Sequence, residues 1–456
     1  MFTLYSNRML IIFCAMFIFG TRSSAQQITL DQYIDTAFTR NQGLKQQQFD
    51  LEKSMYALKE AQAMFLPTSS FQDNYTKAGG GRTYNIPIGD LLNPIYTALN
   101  QLTASAKYPQ LKNESFLINP DNFNDAKLHT TLPLINAEIR YNKLIKQQLI
   151  TVQQASVNVY KRALVKDVKT AYFHYYQALQ GIAIYDSELK LIHENIRENE
   201  SLYRNGERNS TALLRSKTEL ERTNTQLIQA LLNVKNSRSY FNFLLNRPLT
   251  DSILIDNNLA LSLSAPDTST GIGNREELKQ LKTLQTVYVL DYKMQKAGFT
   301  PKLSTFIDLG SQGFGFAVND KTQYYFWGVS LQWDVFTGGQ RKFRAAQSRA
   351  DADATTAEFR QTEQSLRMQF TQSYNDFESA KAACKSAESA LAYASTYYND
   401  QLKAYRAGQL IYLELIDAQQ QLTNSKLQLT EAQANLQIAL AELERDQASY
   451  PINNLK

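Results

Sequence analysis

The chain has 456 residues, with 48 Lys and Arg against 43 Asp and Glu, and only 18 Gly, 10 Pro, 3 His and 2 Cys. A net charge of +5 is too balanced for a nucleic-acid binder, and the histidines His129, His174 and His193 show no metal spacing, so neither a metal nor a cofactor is expected. No nucleophile–base constellation stands out, and Gly338-Gly339 reads as a turn rather than a phosphate cradle, which argues against an enzyme.

Taken in chain order, Arg8, the apolar run Leu10 to Gly20 and the small residues Ser23-Ser24-Ala25 predict a secretory leader over 1–25 without an acyl anchor. Its removal takes Cys14 and leaves Cys384 as the one cysteine. Beyond it no apolar run reaches the roughly 20 residues of a membrane helix, so the chain is either soluble or part of a β-barrel.

A helix is expected over 28–65, strands over about 67–76 and 126–135, and an external loop over 77–125 marked by Gly79-Gly80-Gly81. Long helices follow over 137–205 and 210–245, then a segment over 246–273 rich in Asp, Ser and Pro. A second series then runs as helix 274–298, strands about 302–311 and 324–335, helices 339–407 and 410–447, and a tail over 448–456. Tyr172, Tyr203, Gly206, Leu213 and Leu220 recur as Tyr374, Tyr405, Gly408, Leu415 and Leu422, so residues 26–245 and 274–447 read as two internal repeats.

Leu415, Leu422, Leu429, Leu436 and Leu443 recur every seven residues, with small residues three positions after the first four, a pattern for closely packed antiparallel coiled coils. Each of the longest helices would run about 100 Å at 1.5 Å per residue. Trp327, Val329, Leu331 and Trp333 alternate with polar residues, as do Leu303, Thr305, Ile307 and Leu309. Phe71, Tyr75, Tyr325, Trp327, Trp333 and Phe336 are candidates for a membrane aromatic girdle. A soluble sandwich would need a second sheet, for which no strands remain. Four strands are too few to close a barrel, so copies must join: two give eight strands and a packed interior, three leave a lumen.

Phe65-Leu66-Pro67, Pro301-Lys302-Leu303, Val335-Phe336-Thr337-Gly338-Gly339 and Tyr405-Arg406-Ala407-Gly408 with Leu413-Glu414-Leu415-Ile416-Asp417-Ala418 resemble joints and hairpins of the TolC-like outer-membrane efflux family. Ile28-Thr29-Leu30-Asp31-Gln32-Tyr33 resembles that family's opening helix, and the likeness spans residues 26–447. The resemblance implies a mixed α and β membrane protein. Its four strands per subunit would join a homotrimeric β-barrel of twelve strands, above an α-barrel of long coiled-coil helices crossing the periplasm. It also implies an outer-membrane location, an equatorial place for 246–273, and two partners: a periplasmic adaptor (membrane fusion) protein and an inner-membrane transporter. The function implied is a passive exit duct of a tripartite efflux or secretion system.

Glu414 and Asp417 share a helix face by spacing and match the family's acidic constriction positions, with Tyr405 at its tyrosine position. The ordinary alternative is two solvated acids near a helix N-terminus. The tip loops, Asn205, Gly206, Glu207 and Arg208 with Ala407, Gly408 and Gln409, are the implied adaptor contact. Leu410 stands where the family has a basic residue, Arg215 is a candidate partner for the acids, and Ser210 is a candidate helix cap.

Overall fold

The computed structural model describes residues 29–119, 121–207, 209–256 and 271–452. The expected leader, Arg208 and positions 257–270 of the expected equatorial segment lie outside the described residues.

In chain order the described elements are α1 (Leu30–Arg40), α2 (Gln42–Ala63), β1 (Thr68–Thr76), β2 (Thr83–Ile86), α3 (Ile88–Leu102), β3 (Glu114–Leu117), β4 (Phe123–Ile135), α4 (Ala137–Arg204), α5 (Ser210–Leu244), α6 (Glu276–Ala297), β5 (Lys302–Phe314), β6 (Gln323–Gln332), α7 (Gln340–Arg406) and α8 (Tyr412–Gln447). They divide into two compact units. One draws on Met1–Glu52, Thr151–Lys282 and Ala357–Lys456, the other on Lys53–Ile150 and Thr283–Thr356. Both sequence halves contribute to both units, and the division cuts across α2, α4, α6 and α7, leaving one unit purely helical and the other with all six strands.

In the helical unit, α1 starts on a capping box: Gln32 N–H donates to Thr29 Oγ1 while Gln32 Oε1 accepts from Thr29 N–H. The single helix expected over 28–65 is instead broken at Asn41, which adopts an extended ψ of 126°. Its side chain compensates on both sides: Oδ1 accepts from Leu44 N–H at 3.0 Å, and Nδ2 donates to Leu244 O at 2.9 Å. An asparagine that restarts a helix in this way is readable only with its partner in view. Tyr33, Ile34, Leu44, Val168, Tyr172, Phe241 and Leu245 form the main core, with Tyr33 and Phe241 edge to face at 5.1 Å. Leu415, Leu436 and Leu443 of the heptad series are enclosed, as is Ala418. A buried ion pair ties the residue before α6 to the end of α8, with Arg275 Nη1 at 2.6 Å from Asp446 Oδ1. The tail beyond α8 is tied down as well: Tyr450 OH donates to Asp31 Oδ1 at 2.9 Å, and Ile452 enters the core.

The two hairpin turns of this unit close alike. Gly206 and Gly408 take φ of +73° to +75°. Glu207 N–H and Gln409 N–H reach back five residues to Leu202 O and Ala404 O, both at 3.0 Å. This Schellman ending needs a residue in the left-handed region, where glycine carries no Cβ penalty. Asn209, not Ser210, caps α5, its side chain accepting from Thr211 N–H at 3.1 Å. Asparagine ranks level with serine at this position, so composition alone could not choose between the neighbours.

The other unit holds a four-stranded antiparallel sheet in the order β1-β4-β5-β6 and a separate hairpin of β2 and β3. The expected loop over 77–125 is therefore structured, containing that hairpin and the fifteen-residue α3. Short strands and an isolated helix fall below what periodicity resolves. Near the helix–strand joints, Lys302 Nζ lies 2.6 Å from Glu138 Oε2, and Arg341 pairs with Asp334 and Gly298 O.

Candidate functional site

Strand register decides what the sheet offers. Phe71 pairs with Leu128, Leu128 with Leu309, and Leu309 with Tyr325. One step along, Thr130, Ile307 and Trp327 align, then Leu132, Thr305 and Val329. Because side chains alternate across a pleat, these residues share one face of all four strands. The opposite face carries Gln72, Lys127, His129, Asp308, Tyr324 and Ser330. There Asp308 accepts from His129 and sits 3.5 Å from Lys127 Nζ, and Tyr324 OH donates to Asp125 Oδ1 at 2.6 Å. His129, one of the three histidines without metal spacing, belongs to this polar face.

The expected girdle residues are all exposed, Trp327 at 70% and Phe71 at 71%. Phe71, Tyr75, Tyr325 and Trp327 lie on the apolar face by register. Trp333 and Phe336 follow the end of β6, where Trp333 Nε1 donates to Phe299 O at 3.1 Å. The free edges of the sheet are β1 and β6.

At the other candidate site, the two hairpin tips enclose a cleft of about 1020 Å³, lined by Glu198, Arg215, Tyr405, Leu410, Tyr412 and Leu413 among others. Tyr405 is buried, and its hydroxyl donates to Asn199 of α4. Arg406 Nε stands 3.9 Å from Glu198 Oε2. These contacts join the two hairpins of one copy. Leu410 packs against the cluster of Tyr405, Tyr412 and Leu415, so an apolar contact stands where the family resemblance implies a basic residue. Asn205, Gly206, Glu207, Ala407, Gly408 and Gln409 are exposed at the tips.

Glu414 and Asp417 are exposed on the first two turns of α8. Ile411 provides no side-chain cap there, so Glu414, at the third helical position, faces the positive end of the helix dipole. No ion pair joins Arg215 to either acid among the described residues.

Sequence reasoning missed a buried polar chain running away from the tip. Asn199 Nδ2 donates to Ser216 Oγ at 2.9 Å, and the Tyr412 hydroxyl bonds Ser216 and Asn195. Asn195 Nδ2 donates to Gln419 Oε1 at 2.7 Å, Gln419 Nε2 donates to Glu188 Oε1 at 2.6 Å, and Thr423 donates to Glu188 Oε2. Burial pushes the Tyr412 phenol up to about 12 and raises the Glu188 carboxyl above its ordinary value. The available signal was the seven-residue spacing of Glu188 and Asn195 and of Tyr412 and Gln419, polar groups recurring at the period of a buried seam.

Residues 271–445 match the family model described as outer membrane efflux protein. No curated protein matches the sequence. Among solved structures, the outer-membrane channel OprN superposes with a TM-score of 0.73 at 16% identity, covering 92% of this chain and 90% of OprN. The outer membrane protein VceC of Vibrio cholerae gives 0.71 at 14% identity, covering 92% and 95%. The CmeC outer membrane channel of Campylobacter jejuni gives 0.71 at 14%, covering 92% and 85%. At these identities the likeness to each is one of fold. The match to the outer membrane efflux protein model over residues 271–445 thus sits within a chain that shares the fold of these channels over 92% of its length.

Proposed function

We propose that the chain is the outer-membrane duct subunit of a tripartite efflux or secretion system, working as a homotrimer with a periplasmic adaptor and an inner-membrane transporter. The observation that carries this reading is the sheet: a face on which Phe71, Leu128, Ile307, Leu309 and Trp327 lie together, an opposite face carrying Lys127, His129 and Asp308, and two open edges on β1 and β6. In lipid no strand edge survives unpaired, so the edges of one copy must meet those of others. Three copies supply twelve strands, apolar face to lipid and polar face to a wet bore. The two series of elements are read as repeats of one unit, with the long helices continuing the bore through the periplasm and 246–273 at its equator. The duct does no chemistry of its own.

In this assembly Glu414 and Asp417 from three copies would gather six carboxylates at the periplasmic mouth. Crowded like charges there attract cations. The tip residues around Gly206 and Gly408, including Arg208, would receive the adaptor, and Tyr405 would hold the tip closed through Asn199. In planar bilayers, Glu414→Ala with Asp417→Ala is expected to raise single-channel conductance and reduce cation preference. Unchanged conductance and selectivity remove the two acids from the gate. A polypeptide that forms no pore at all ends the duct reading itself.

A further inference from the structure

The insertion between β1 and β4 builds a rigid element whose purpose the duct does not explain. Three side chains clamp α3 to the returning segment 103–113. Asn93 brackets the Leu111 backbone, donating to its O at 2.9 Å and accepting from its N–H at 2.8 Å. Asn100 does the same at Tyr108, at 2.8 and 3.1 Å. Asn113 Nδ2 donates to Asp90 Oδ2 at 2.9 Å. The clamps matter because a fifteen-residue helix with Pro94 inside it is marginal alone. The clamped face also sets Tyr96 against Tyr108, the ring centroids 5.6 Å apart and the planes tilted by 44°.

The other face of α3 is apolar and uncovered. Ile88, Leu91, Ile95, Ala98 and Leu102 follow the alternating three–four spacing of a coiled-coil seam. Leu91, Ile95 and Leu102 are 66%, 54% and 83% exposed. A rigid scaffold that presents a seam to water is incomplete without a partner helix.

Two observations select the partner. The seam-bearing helix contains no Lys or Arg, its one charge being Asp90, whereas helices that lie on lipid headgroups carry basic residues on the polar face. And the insertion springs directly from β1, an open edge of the sheet, at the end opposite the helix joints. Whatever copy pairs with that edge brings its own α3 to the same end of the barrel. We infer that α3 packs through this seam on α3 of neighbouring copies, forming an external collar of helices at the outer mouth. The inference rests on the proposed oligomer.

Cysteine substitutions in a Cys384→Ala background, in the full-length protein extracted into detergent, test it. Ile95→Cys and Leu102→Cys replace exposed side chains and leave the clamps intact, with Thr97→Cys as a control off the seam. Mild oxidation is expected to give disulfide-linked copies at least about tenfold more at Ile95→Cys than at Thr97→Cys. A membrane-impermeant maleimide is expected to label Ile95→Cys correspondingly slower. Equal labelling without cross-links overturns the collar. So does quenching, by brominated lipid in vesicles, of a fluorophore attached at Ile95→Cys, which assigns the seam to the bilayer. Native mass measurement separates the two readings: no oligomer defeats both, whereas an oligomer with a freely labelled seam defeats the collar alone.

Discussion

In the helical unit Phe241, Leu415 and Leu443 are fully enclosed while Glu414 and Asp417 face outward; in the sheet Phe71, Trp327 and Leu331 stand exposed while Asp308 is covered. The same chain thus sorts side chains in opposite senses in its two units. An apolar residue goes wherever water is absent. The helices find that place among themselves. The sheet has none within one copy, so its apolar face is addressed to an outside medium. The inversion is what the proposed barrel wall requires of a chain that has no membrane-length apolar helix among its described residues.

The contrast is broken most directly at Phe241, which is 0% exposed and packs on Tyr33 and Tyr172. Phe241→Ala is expected to cost about 3–5 kcal/mol in denaturant unfolding of the detergent-solubilised protein. Phe243→Ala, two residues along and exposed, is expected to change stability by no more than about 0.5 kcal/mol. Equal losses at both positions would mean that α5 has no defined inner face.

The sheet supplies the inverse case. Ile307 lies mid-strand on the apolar face, next to Thr130 and Trp327. Ile307→Arg is expected to cost about 2–4 kcal/mol of insertion stability, as for a basic residue at the midplane of a barrel wall. Ser330→Arg, on the polar face, is expected to insert normally. Refolding into vesicles, read as the protease-protected fraction, measures both. Insertion of Ile307→Arg at the level of the parent chain would remove lipid from that face.

The fold was legible where periodicity was long. The heptads of α8 and the alternation in β5 and β6 each bury or expose whole faces, so many residues vote for one answer. Legibility failed where a single side chain overrides its neighbours. Asn41 divides α1 from α2 through a bond to Leu244, some two hundred residues away. Asn93 and Asn100 fold a glycine-marked loop into a clamped helix. At the tip, residue types located the turn glycines and Tyr405, but not Asn199, Ser216 and Glu188, because polar residues inside a helix look solvated until the facing helix is in place.

Caps are a smaller instance of that failure. Asn209→Ala is expected to cost about 1 kcal/mol through the lost bond to Thr211 N–H. Ser210→Ala is expected to fall within about 0.5 kcal/mol of the parent. The reverse order would put the start of α5 one residue later.

The subtlest test concerns a carboxyl that the helical unit encloses without an ion pair among the described residues. Glu188 is 5% exposed, accepts from Gln419 and Thr423, and faces Glu219 rather than a bonded cation. Burial, the largest influence, raises its pKa in the folded chain, and the Glu219 charge adds to the rise. In acid both folded and unfolded chains hold the proton, so no penalty exists. As pH climbs past the ordinary carboxylate value of about 4.3, the unfolded chain ionises first and the fold loses stability. The loss stops growing once pH passes the raised folded value. Glu188→Gln keeps an acceptor for Gln419 and has no proton to lose. It is therefore expected to match the parent melting temperature at about pH 4 and exceed it near pH 7.5, with the gap widening between. A gap that stays constant, or that shrinks as pH rises, would mean that Glu188 ionises in the fold as easily as in water. The polar chain from Tyr405 to Thr423 would then be wet along its length rather than sealed between the helices.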